Sequence, residues 1–295
     1  MRRLAARAVL AALLVGMTSG CAEQQAAAWM ERGHDAFTSG DMTTAVDAFR
    51  RAAQADPNLA EAHHWRGVAL RRLERFDESL AASQKALKVN PDYAEARGNV
   101  GKVYFRKGDP EAALAELFHA VSLKPDLAEG YLTLGVVLHS VGDVQGAIAL
   151  YRRTLELEPE NALGHNNLGI ALDESGDQPG AIKAFRQALR VDPDYAAAHH
   201  GLGKTLWTAD RHQEAIAEMR EAVRLRPDFG IAHSNLVYLC YRLGQFAEAW
   251  QHLHRARELG APVEPDVVKR LSVAMADPAG PWPEQELKGP GKHGD

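Results

Sequence analysis

Cysteine is scarce, with only Cys21 and Cys240 in 295 residues. One pair at most cannot make a disulfide framework, and no paired CxxC is present to hold structural zinc. There is also no HExxH helix, no GxSxG turn and no glycine-rich phosphate loop. The common marks of metallohydrolases, esterases and nucleotide-dependent enzymes are therefore missing, and no catalytic residue, metal or cofactor is expected. Ala8 to Met17 is apolar but too short to span a bilayer as a stable helix. The formal charge of −5 argues against nucleic acid as a general partner.

What the chain has is a period. Pro57, Pro91, Pro125, Pro159, Pro193 and Pro227 are each 34 residues apart. They divide the chain into repeats 26–59, 60–93, 94–127, 128–161, 162–195, 196–229 and 230–263, the last with its proline one place late at Pro262. The first repeat carries Trp29, Gly33, Ala45, Phe49, Ala52 and Pro57. The third has Gly101, Tyr104, Ala113, Leu117, Ala120 and Pro125, and the fifth Leu168, Gly169, Ala181, Phe185, Ala188 and Pro193. This pattern resembles the tetratricopeptide repeat (TPR) family, whose helix–turn–helix unit has this length. The resemblance implies an all-α fold, a right-handed superhelical solenoid of about seven TPR units with a C-terminal capping helix.

The recurring residues have physical roles. Glycine inside a helix is unfavourable by ~1 kcal/mol relative to alanine. Its return at Gly33, Gly67, Gly101, Gly135, Gly169 and Gly203 points to close approach of a neighbouring helix. The alanines at 45, 113, 147, 181, 215 and 249 serve the same contact from the second helix. Between helices, Gly108-Asp109-Pro110 places a capping Asp before a first-turn proline. The second repeat departs from the pattern with Arg66, Ser79 and Ser83, and the seventh with Val237 for glycine, so both are expected to be soft or irregular.

Residues 1–21 have a basic start at Arg2, Arg3 and Arg7, the apolar run, and Thr18-Ser19-Gly20-Cys21 at the end. That resembles a signal peptide with the lipobox of bacterial lipoproteins, which implies lipidation of Cys21 and a membrane anchor. Thr18 departs from the usual Leu, and the alternative is an ordinary secretory signal with Cys21 incidental. Ala22 rather than Asp then favours a periplasm-facing lipoprotein of the outer membrane; a soluble periplasmic or secreted protein is the alternative. At the other end, 264–276 is expected to be the capping helix, with Val267, Val268, Leu271 and Met275 on its apolar face. The Pro- and Gly-rich 277–295 is expected to be a disordered tail, in which Trp282 is the residue suited to docking.

Histidine is plentiful but placed for packing. His63, His165, His199 and His233 share the fourth repeat position with Trp29 and Tyr131. His252 and His254 are two apart and diverge on a helix, and Cys240 reads as a small buried hydrophobe where other repeats have Tyr104, Leu138, Leu172 and Leu206.

The family resemblance implies that first helices line a concave face. The sixth position includes Asn99, Asn167 and Asn235, similar to the asparagine ladder by which O-linked N-acetylglucosamine transferases hold an extended peptide; the plain alternative is family consensus. The twelfth position and its neighbours supply Arg71, Lys102, Phe105 and Arg106 in one stretch and Lys204, Trp207, Tyr238 and Tyr241 in another. Aromatic and basic anchors with amides suit an extended peptide carrying acidic groups or a free carboxylate. The expected function is a non-catalytic scaffold or adaptor of the bacterial envelope, binding other envelope proteins or peptides. Lipoproteins of this build resemble pilus pilotins, adaptors of peptidoglycan hydrolases and scaffolds of polysaccharide export. The alternatives are a structural spacer acting through its convex face and ends, and, more remotely, a glycosyltransferase-associated TPR protein.

Overall fold

The structure, a computed structural model, describes residues 22–278. The expectations for the signal segment, Cys21 and Trp282 lie outside the described residues. Helix α1 (22–38) is followed by α2 (Met42–Ala55), α3 (Ala60–Arg72), α4 (Phe76–Val89), α5 (Ala94–Arg106), α6 (Pro110–Leu123), α7 (Ala128–Ser140) and α8 (Val144–Leu157). These form four antiparallel hairpins in a first compact unit, Met1–Pro159. The second unit, Glu160–Asp295, contains α9 (Ala162–Glu174), α10 (Gln178–Val191), α11 (Ala196–Thr208), α12 (His212–Leu225), α13 (Gly230–Arg242), α14 (Phe246–Glu258) and α15 (Pro265–Ala274). No strand occurs among the described residues.

Local chemistry sets the hairpin turns. Asp41, Asp109, Asp143 and Asp177 cap the second helices by accepting from the backbone N–H three residues on. The residue two before each of these helices has positive φ, for example +88° at Gly176; Glu74 and Asp210 adopt it without glycine's freedom, at 59° and 58°. Between hairpins, the imidazole Nε2 of His63, His199 and His233 donates to the carbonyl of the proline six residues earlier, at 3.1, 3.0 and 3.2 Å. Arg97 does the same to Pro91 at 3.0 Å. The fourth position thus ties these four repeats to the turns before them.

Within each unit a hairpin's second helix packs on the next hairpin's first helix, and successive first helices also touch. The core follows a rule. The side chain at the twenty-fourth position (Phe49, Ser83, Leu117, Tyr151, Phe185, Met219 or Leu253) is buried in every repeat. In several repeats it is met from both sides, by the glycine of its own first helix and by the sixth position of the next repeat. Phe185 shows this best: a Cβ at Gly169 or Gly201 would lie 2.8 or 2.5 Å from its ring.

The two repeats expected to be irregular are regular. In the seventh, Val237 and the smaller Leu253 are both fully buried in one cluster, volume gained at one position being offset at the other. In the second, Ser79 and Ser83 are fully buried, and Asn99 of the next repeat fills the space left by the absent aromatic.

α15 packs on α13 and α14 through Val267 and Leu271. Trp250 Nε1 donates to the Met275 carbonyl at 3.1 Å, and His254 bonds Asp277 at 3.0 Å, so packing continues past the expected boundary at 277.

Candidate functional site

In the first unit, the sixth and twelfth positions part company. Asn99 is only 3% exposed and turned into the core. Its Nδ2 donates to Ser83 Oγ at 2.9 Å and Ser79 Oγ at 3.3 Å, and its Oδ1 accepts from Arg71 Nε at 2.7 Å. The amide expected to hold a ligand is occupied by the protein's own groups. Trp65, at the same position, stacks on Phe49 with centroids 6.2 Å apart.

The basic stretch expected here is largely neutralised. Lys102 is 16% exposed and ion-paired with Glu129, and Arg106 pairs with Glu74 at 2.6 Å. Burial lowers the pKa of Arg71 and Lys102, while Lys102 beside Glu129 outweighs burial and holds that carboxyl below its usual value. Phe105 is half-buried against the cluster of α6 and α7 residues that includes Leu117 and Leu134.

The second unit offers a cavity. About 590 Å³ opens between α11 and α13, with Trp207 and Tyr238 on its wall and Met219, Leu239 and Val267 among its apolar lining. The two aromatic rings meet edge to face at 5.7 Å. Arg242 donates to Tyr238 Oη at 2.6 Å and lies over both rings, fixing them. Ile231, 57% exposed, stands at the cavity. The turn Pro262-Val263-Glu264 and α15 close its far end, so the C-terminal helix completes the site as well as capping the fold.

The polar groups in the lining are His200, Lys204, Thr208, Ser234, Asn235, Tyr238 and the acidic Glu264. Asn235 Nδ2 donates to His200 Nε2 at 2.9 Å, which puts the His200 proton on Nδ1. Lys204 pairs with Asp173 at 3.2 Å and remains 59% exposed. Of the sequence-predicted residues, Lys204, Trp207, Asn235 and Tyr238 thus come together. Tyr241 instead packs against Phe246 at 6.0 Å, and Asn167, half-buried, accepts from Asn166 at 3.4 Å. Sequence reasoning missed His200, Ile231 and Val267, since only folding brings α15 to α13. It also missed that Cys240 of α13 faces Glu248 and His252 of α14; the signal available was the four-residue Glu–His spacing.

Three histidines, His64 buried and His200 and His252 half-buried, make stability pH-dependent. Burial pushes His64, His200 and His252 down to about 4 from 6.5. As pH falls through 6.5 the unfolded chain takes up protons that the folded chain refuses until about 4. The stability these three histidines contribute is therefore full above 6.5 and declines as pH drops through this window, opposed by His199, whose pKa Glu218 raises despite burial. The urea midpoint is expected to fall between about pH 7 and about pH 5, and His64→Phe, whose ring suits a site against Trp65 and Tyr93, to make that fall smaller. A flat profile in the parent protein would contradict these assignments.

A tetratricopeptide repeat family profile matches residues 2–60, 65–128, 132–196, 167–228 and 200–264. No curated protein matches the chain. Among solved structures, MamA is 27% identical over 55% of this chain and 94% of its own, with a TM-score of 0.50. YrrB, described as a TPR protein with an unusual peptide-binding site, is 22% identical over 63% of this chain and 96% of its own, at 0.52. Pseudomonas aeruginosa pilF is 18% identical over 70% and 94%, at 0.63. The fold they share supports protein–protein interaction, and proteins built on it are generally non-catalytic. With hairpin, period and packing positions in agreement, and the profile spanning well over half the sequence, the chain belongs to the tetratricopeptide repeat family.

Proposed function

We propose that this protein is a non-catalytic adaptor of the bacterial envelope that holds an extended segment of a partner protein along the first helices of its second unit. The observation that carries this is the cavity of about 590 Å³ walled by Trp207 and Tyr238 over an apolar lining. It suits a bulky apolar side chain of the partner, with Lys204 and Asn235 placed for the adjoining backbone or a carboxylate. The burial of Asn99 and of Lys102, 16% exposed against 59% for Lys204, moves the weight from the first unit's stretch to this site. Anchoring would come from lipidated Cys21, facing the periplasm from the outer membrane. No helix among the described residues is long and apolar enough to cross a membrane.

In-cell photo-crosslinking tests the site, with probes at Ile231 in the cavity, Phe105 in the first unit and Gln187 on α10. A specific adduct from Ile231 is the expected result, and Trp207→Ala is expected to weaken capture by the identified partner at least ~10-fold with helicity retained. Capture indifferent to Trp207→Ala would remove the cavity from the binding surface. Cys21→Ser is expected to release the protein from the membrane fraction, and unchanged fractionation would defeat the anchor. One observation favours a spacer that works through its other face: Phe118, on second helix α6, is 51% exposed. Adducts confined to Gln187 or a probe at Phe118 would support that reading.

A further inference from the structure

We propose that Cys240, Glu248 and His252 form a binding site for a divalent transition-metal ion of the zinc class. Cys240 projects from α13 toward α14, where Glu248 and His252 share a face one turn apart. The thiol sulfur, a carboxylate oxygen and an imidazole nitrogen all lie within 4.8 Å of one another. Soft sulfur, imidazole and carboxylate together are a donor set that zinc accepts.

The hydrogen-bond chain behind His252 decides which of its nitrogens faces the cluster. The Pro227 carbonyl can only accept, so His233 Nε2, 3.2 Å away, carries its proton. In neutral His233 the other nitrogen, Nδ1, is then an acceptor. His252 Nδ1 lies 3.0 Å from it and must donate. That leaves His252 Nε2 as a bare lone pair, buried and without a hydrogen-bond partner. Its neighbour Glu248 Oε1, at 3.6 Å, is an acceptor as well. A buried lone pair within 4.8 Å of a carboxylate oxygen and a thiol sulfur, yet hydrogen-bonded to neither, is open to a cation.

The surroundings are those of metal ligands. A metal-bound imidazole usually donates its other N–H to a fixed acceptor, as His252 does to His233. Arg220 holds the Glu248 carboxylate by bonds of 2.8 and 2.6 Å and keeps it ionised, while each oxygen retains a further lone pair. On binding, the Cys240 S–H gives its proton to solvent and the sulfur bonds the metal as thiolate. Bond lengths of ~2.0–2.3 Å require the three atoms to draw together by roughly 1 Å, leaving a fourth position for water. His252 and Glu248 keep 15% and 27% side-chain exposure, which gives an ion a way in to the fully buried cysteine. Core packing alone accounts for Cys240, where other repeats have leucine, but not for the orphaned nitrogen beside it.

The test uses the full chain with Cys21→Ser, so that Cys240 is the one thiol, treated with chelator and titrated with cobalt(II), then displaced by zinc. The expected result is one cobalt per chain with a thiolate-to-cobalt charge-transfer band. Cys240→Leu, which copies Leu138, Leu172 and Leu206, should lose the band, as should His252→Phe. His233→Phe should weaken affinity on the order of 10- to 100-fold by releasing the His252 ring. No uptake, uptake without the thiolate band, or a band that survives His252→Phe would overturn the assignment. Because the parent protein's own spectrum decides the first two outcomes, a variant that fails to fold does not rescue the proposal.

Discussion

Phe185→Ala is expected to destabilise the second unit by about 3–5 kcal/mol, read as a lowered urea midpoint. The ring is 1% exposed, held between Gly169 of its own repeat and Gly201 of the next. Two backbones have approached the ring closely, so neither can collapse into the space that truncation leaves, and the cavity term adds in full to the lost transfer energy. The site also bridges neighbouring repeats, and a solenoid is stabilised through such nearest-neighbour interfaces. Phe118→Ala, at a position 51% exposed, serves as the control and should change stability by no more than ~0.5 kcal/mol. Equal losses from the two substitutions would mean that the ring is not clamped as described. Gly201→Ala gives the reciprocal test: helix propensity favours alanine by ~1 kcal/mol, yet overpacking against the ring should make the protein less stable.

Asn99→Ala should cost the first unit on the order of 3 kcal/mol, far more than Asn235→Ala. Asn99 satisfies three partners at once, Ser83, Ser79 and the Arg71 guanidinium. Removing it strands the buried Ser83 hydroxyl and a partly buried cation and opens a cavity, while Ser79 keeps its bond to the Gly67 carbonyl; each stranded buried group costs about 1–3 kcal/mol. Asn235 by contrast has one side-chain bond, to His200, at the edge of an open cavity. The two serines and the asparagine behave as one exchange for the aromatic ring found in other repeats. Ser83→Phe alone should therefore overpack against Asn99, and adding Asn99→Gly should recover part of the loss by copying the Phe185–Gly201 arrangement. Additive losses in the double variant would show that the sixth and twenty-fourth positions are not coupled. Similar costs for Asn99→Ala and Asn235→Ala would return both to the same role on the surface.

The period in the sequence was enough to determine the hairpins. Proline every 34 residues ends each second helix, Asp109 before Pro110 caps the next, and glycine facing the twenty-fourth position marks where helices touch. These are local rules, each satisfied within one repeat, so a linear reading can find them. The interior position of Cys240 was legible for the same reason, since leucine stands in its place elsewhere. What the period cannot tell is which side chain of the neighbouring repeat a given position will meet. Asn99, Asn167 and Asn235 look equivalent along the chain, but Asn99 lies over Ser83, 16 residues back, and Asn235 over His200, 35 back. The small serine draws the first amide inward, and the open cavity leaves the second near the surface. Charge behaves likewise: Lys102 is a groove cation in sequence and half of an ion pair in space, because Glu129 arrives from the next first helix. The cavity beside Trp207 and the cluster at Cys240 were decided by tertiary structure alone. Each needs helices from different hairpins, or the two sides of one hairpin, at a separation that only packing sets.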